Sequence, residues 1–284
     1  MYQLKPSAYI FQAGISLFYL GDFKAAGECF ARNAKIYEAR FGLRASEERI
    51  WRDACELMML TKEANRRNNR QPAKSRISLQ EDENSADAPP PETRKIISIA
   101  RGLFDASLMG NHYKVIISRA KLLWIANNAS GRSGLGPTSS SIRRSDPKLW
   151  KLNSWFYLGL HYDVLGMEEE SKKCMKNALK LSLVNSNAKD DIIHTLPMLH
   201  LSRRDWFDDD PLDDDTFTTV ERSQVKKEVE ANIQSSVDKL LLLEIQDALG
   251  RKGLKTSGGN KSDLKQRLLI ALMEDANKYI FEER

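Results

Sequence analysis

The chain has 284 residues, 41% of them hydrophobic, enough for one large or two small buried cores, and no apolar run nears the ~20 residues that cross a bilayer. Its formal net charge of +5 is unevenly spread, with cations at Lys62–Arg76 and near the C-terminus and aspartates at Asp205–Asp215, so a uniformly cationic surface is excluded. Cys29, Cys55 and Cys174 lack C-x-x-C spacing, which argues against a disulfide framework or a zinc site.

The opening Met1-Tyr-Gln-Leu-Lys-Pro lacks the apolar centre of a signal peptide, and the cysteine usage suits a reducing compartment, so an intracellular, soluble chain is expected. From Ala8 to Phe30 the pattern predicts two helices around a Gly21-Asp22 turn. Small residues at Gly14 and Ala26 let the backbones approach, while Leu17 and Phe30 fill the space between them. Ser46 can cap the next helix, whose apolar face is Ile50, Ala54, Leu57 and Met58. Ile96–Asn128 reads as an αα-hairpin around Met109-Gly-Asn. Trp155-Phe-Tyr-Leu158-Gly159-Leu-His-Tyr162, followed by Gly166, Met175 and Ala178, repeats the order of the first hairpin.

Trp155-x-x-Leu158-Gly159-x-x-Tyr162 resembles the tetratricopeptide repeat, a helix–turn–helix unit of ~34 residues. The first hairpin departs from it, with Ile10 and Leu17 where that repeat has aromatic residues. The order of these segments also resembles tetratricopeptide-like proteins of plants and algae. The resemblance implies an all-α array whose groove holds a protein partner and suits a plastid home, with nucleus or plastid left open.

Two segments interrupt the array. Residues 65–93, basic and then acidic with Pro89-Pro90-Pro91, and the Ser- and Gly-rich loop 129–146 have almost nothing apolar to bury, and disorder is expected there. Lys189–Leu201 reads as a helix bent or ended near Pro197. Residues 205–217 carry seven aspartates and no base, which reads as a solvated linker or, alternatively, as a nucleic-acid mimic lying over a cationic surface. Thr218–Ser236 then forms a polar helix with a stripe of Val220, Val225, Val229 and Ile233. The resulting division is repeat-like helices at 1–64 and 94–204, the two insertions, an acidic linker at 205–217, and a helix with a terminal hairpin at 218–284.

That hairpin carries the functional signal. Leu241, Ile245, Ala248 and Leu249 share one helical face, and Leu264, Leu268, Ala271 and Leu272 repeat the spacing. Gly253 suits a left-handed helix end with Leu254 packing back, and Asn260 can cap the second helix with Asp263 three residues on. Arg251, Lys252, Lys255, Lys261, Lys265 and Arg267 stand against Asp263 alone, a local net charge of +5. A cationic turn beside a helix N-terminus suits a phosphate backbone.

The runs Leu249-Gly-Arg-Lys-Gly-Leu-Lys-Thr-Ser-Gly and Lys261-Ser-Asp-Leu-Lys-Gln-Arg-Leu resemble the SAP motif, a helix–loop–helix module of DNA- and RNA-associated proteins. An extra residue in Gly258-Gly259-Asn260 departs from it. The resemblance implies DNA, or RNA, contact by Lys252, Lys255, Thr256, Ser257, Gly258, Lys261 and Lys265, to which the charge pattern adds Arg251.

No catalytic constellation accompanies it. His112, His161, His194 and His200 have no metal-ligand spacing, and the cysteines have no histidine partner in a recognisable motif. Gly131-Arg-Ser-Gly-Leu-Gly136 follows no strand, and Gly253–Ser262 is preceded by a helix, with Asn260 where a phosphate loop needs glycine. Trp51, Trp155 and Tyr162 fall at core spacings rather than on a stacking surface. The expectation is a non-enzymatic adaptor without cofactor or metal, its repeats on a protein and its hairpin on nucleic acid. The alternative is a protein-only scaffold or assembly factor in which the hairpin docks.

Overall fold

The computed structural model describes residues 10–66, 94–128, 147–184, 192–206 and 222–281, and these are all-α. The helices are α1 (Phe11–Tyr19), α2 (Phe23–Phe41), α3 (Ser46–Arg66), α4 (Lys95–Leu108), α5 (His112–Asn128), α6 (Pro147–Val164), α7 (Glu168–Val184), α8 (Leu196–Arg204), α9 (Arg222–Asp238), α10 (Leu242–Arg251) and α11 (Lys261–Phe281). Consecutive helices pack on one another from α1 to α8 and again at α10–α11, while α9 lies on α5 and α11. Basic residues 67–76, Pro89–Pro91, the loop 129–146 and most of the acidic run lie outside the described residues.

The α1–α2 and α6–α7 hairpins close on small residues, for the reason their spacing gave. A Cβ on Gly14 would sit 2.7 Å from the Phe30 ring, and one on Gly159 would sit 3.0 Å from Met175. Gly21, Gly110 and Gly166 supply positive φ at the three hairpin turns, and the Asp22 carboxylate accepts the Ala25 N–H at 3.1 Å to start α2. Trp51 joins the first layers to the third: its ring stacks on Phe30 at 5.8 Å, meets Phe18 edge-on at 5.1 Å and reaches Phe156 of α6 at 6.0 Å. Trp155 and Tyr162 are also buried, as packing residues.

Two local starts differ from expectation. Ser46 Oγ makes no cap and is buried without a hydrogen bond; instead Glu38 accepts the Ala45 N–H at 3.0 Å and pairs with Arg49 at 2.9 Å. Pro197 does not bend or end a helix but sits as the second residue of α8, where its missing N–H costs nothing, after a 3-10 turn at Ile192–His194.

Chain direction breaks a simple up-and-down alternation. Arg94 at the start of α4 pairs with Glu47 at the start of α3, while Thr61 and Ser107, late in α3 and α4, both reach the C-terminal part of α6. Helices α3 and α4 therefore run parallel, and Arg66 and Arg94 lie at opposite ends of the layer.

Helix α5 organises the rest. Val115-Ile-Ile and Leu122-Leu-Trp-Ile-Ala are buried around its whole circumference, because α4 and α6 cover one side and α9, α10 and α11 the other. One continuous apolar core runs from Phe11 to Ala276. At ~1.5–3 kcal/mol per buried large aliphatic side chain, these contacts outweigh any of the surface pairs described below.

Candidate nucleic-acid interface

The basic loop is built by local chemistry at both ends. Gly253 takes φ 74° after α10. Its N–H donates to the Gly250 carbonyl at 2.9 Å and that of Leu254 to Leu249 at 2.9 Å, the paired closure of a Schellman end. Leu254 itself is exposed rather than packed back on the helix. At the start of α11, Asn260 Oδ1 accepts the Asp263 N–H and Asp263 Oδ2 accepts the Asn260 N–H, both at 3.0 Å. Gly258 and Gly259, at φ 77° and 105°, turn the chain between these closures.

The apolar faces lie where their spacing put them, with one correction. Ile245, Ala248, Leu249, Leu264, Leu268, Ala271 and Leu272 are buried, whereas Leu241 is 66% exposed. Leu241 precedes the first turn of α10 as its N-cap, where its N–H donates to Glu244 at 2.7 Å, and Leu240 packs inward instead.

Arg267 orders the loop from within α11. Its guanidinium donates to the carbonyls of Ser257 at 3.3 Å and Gly258 at 2.8 Å, so it spends its hydrogen bonds on the loop backbone. Thr256 is half-buried with its methyl over Gly250. Ser257 and Gly258 are exposed.

The other cations divide into two groups. Arg251 pairs with Asp247 at 2.7 Å, Lys252 with Asp275 at 2.6 Å and Lys265 with Asp238 at 3.2 Å. Lys255 and Lys261 are exposed and have no carboxylate partner among the described residues. Subtracting the three added aspartates from the stretch's +5 leaves +2. Lys261 opens α11, where its own and the Ser262 amides have no intrahelical acceptor, and the Lys255 ammonium lies 4.0 Å from where a Cβ on Gly258 would sit, in the loop just before it.

The hairpin is fastened to α5 by polar contacts that sequence reasoning missed. The Tyr113 hydroxyl donates to Asp275 at 2.6 Å, the Lys252 ammonium lies 5.2 Å from the Tyr113 ring centre, and His112 lies 3.4 Å from Glu244. Partial burial pushes the Asp275 carboxyl up, but hydrogen bonds from Lys252 and Tyr113 outweigh it and leave the group below the ordinary carboxylate range. No local pattern signals these pairings, since Tyr113 and Asp275 are 162 residues apart.

The remaining chemistry-bearing residues are buried in packing positions. His161, His194 and His200 are buried, as are all three cysteines, and burial pushes the Cys55 thiol up. No group of three or more His, Cys, Asp or Glu placed to hold a metal occurs among the described residues. No described helix is long and apolar enough to cross a membrane. The geometry defines an all-α array of packed helical hairpins with an exposed, ordered basic loop. No family model, curated protein or solved structure matches the chain.

Proposed function

We propose that this chain is a non-enzymatic adaptor: a tetratricopeptide-like array that holds a protein partner and carries a SAP-like hairpin contacting the DNA or RNA backbone. The observation that carries this reading is the loop itself. Arg267 and the two caps fix its backbone in advance, and Lys255 and Lys261 stand free beside the α11 N-terminus. Preorganisation lowers the ordering cost of binding, and two unspent charges beside helix amides suit consecutive phosphates. Such contacts position a duplex without reading its sequence.

The test is fluorescence anisotropy of the full chain with labelled duplex DNA and RNA at low salt. Binding should be abolished or cut at least tenfold by Lys255→Glu with Lys261→Glu, whereas Arg251→Glu, already spent on Asp247, should matter less. Failure to bind either polymer would refute the reading.

A second reading, a protein-only scaffold, has one specific observation in its favour. Leu241, Leu242 and Leu243 are 66%, 42% and 78% exposed next to the docked hairpin, an apolar patch that nucleic acid would not need. Partners recovered unchanged after nuclease treatment but lost on Leu241→Ser with Leu243→Ser would favour it.

A further inference from the structure

Among the described residues Arg119 stands apart from the other buried charges because no acid forms an ion pair with it. It lies in the middle of α5 and only 8% of it is exposed. Its Nε donates to His161 Nδ1 at 3.3 Å; His161 Nε2 contacts Ser107 Oγ at 2.7 Å, and that hydroxyl donates to the Leu103 carbonyl at 3.0 Å. Arginine is a donor only, so His161 Nδ1 must accept, and the ring proton sits on Nε2. The imidazole is therefore neutral and cannot offset the guanidinium.

The outer edge of that guanidinium is poorly served. Its one further contact is the Met167 sulfur, 4.0 Å from Nη2, and Cζ lies 4.8 Å from the Tyr162 ring centre. Glu170 on α7 attracts it from a distance without forming an ion pair, and lies 3.9 Å from Lys239. On the same tyrosine, Asn232 of α9 donates Nδ2 to the hydroxyl at 3.3 Å, leaving Asn232 Oδ1 buried without a donor. A buried, oriented cation without a paired anion and a buried acceptor without a donor thus share one aromatic ring. Each omission destabilises the fold when nothing fills it.

We propose that the junction of α5, α6, α7 and α9 is a binding site for a small oxyanion that bears a hydroxyl, with Arg119 as its anchor and Asn232 Oδ1 accepting from the hydroxyl. Hydrogen phosphate is the simplest such ligand. The Ser107–His161 chain holds the guanidinium in place before the ligand arrives, and Tyr162 backs it. This site is separate from the basic loop and does not depend on nucleic-acid binding.

The experiment is thermal denaturation of the full chain near neutral pH in phosphate, sulfate or chloride at matched ionic strength. Phosphate should raise Tm by a few degrees once it exceeds its Kd about tenfold, and by more than sulfate, which has no hydroxyl to offer Asn232. Arg119→Met should melt higher than wild type in chloride, because it removes the unanswered charge, and should lose the phosphate-specific rise. Arg119→Lys controls for folding with the charge retained and should keep part of the rise. Lys255→Glu with Lys261→Glu should keep all of it, which separates this site from the loop. An equal or larger rise in sulfate, or a phosphate rise undiminished in Arg119→Met, would overturn the proposal.

Discussion

Gly14 and Gly27 are both helical glycines, yet opposite terms govern them. Alanine in a helix interior gains ~0.5–1 kcal/mol over glycine from propensity alone. At Gly14 the new Cβ would press on the Phe30 ring at 2.7 Å, which is held edge-on by Phe11 and stacked on Trp51 and cannot yield cheaply. Overpacking of this kind costs ~1–3 kcal/mol and should win. At Gly27 the nearest atom is the Cys55 Cβ at 3.6 Å, an ordinary contact, so propensity should win there. Urea denaturation should therefore show Gly14→Ala destabilised by about 1–2 kcal/mol net and Gly27→Ala stabilised by ~0.5–1 kcal/mol. The close approach at Gly14 was legible because small and bulky residues alternate at helical spacing. The silent Ser46 hydroxyl was not, because what starts α3 is Glu38, a side chain from the preceding helix.

At the scale of elements, local chemistry was readable and long-range pairing was not. Gly253, Asn260 and Asp263 act within a few residues of themselves, so their roles follow from order alone. Pro197 was misassigned for a related reason: proline marks a helix boundary, but a single residue does not say which end. The clasp of α11 on α5 belongs to the unreadable class. Its carboxyl, Asp275, is held below the ordinary range, so its contribution is complete at neutral pH and fades as pH falls through that lowered value, below about 4. Asp275→Asn should accordingly lower Tm at pH 7, and the gap from wild type should narrow toward pH 3. Thermal scans across that range would check it, and a gap independent of pH would place the role of Asp275 in packing.

For the whole molecule, α5 changes how the terminal hairpin is understood. Its side chains are buried on both sides, and α9 to α11 supply the second side. The hairpin therefore presents its loop from a fixed platform, and the full chain is the proper object of any binding experiment. That platform also supplies Asp238 and Asp275, which with Asp247 neutralise half of the six cations that the sequence places together. The proposed interface thus rests on two free lysines rather than on a strip of charge. The dependence of duplex affinity on salt reads this number directly. The account predicts a slope of log Kobs against log salt of about −2, from ~0.9 counterions released per neutralised phosphate at Lys255 and Lys261. A slope near −5, or binding indifferent to loss of both lysines, would contradict it.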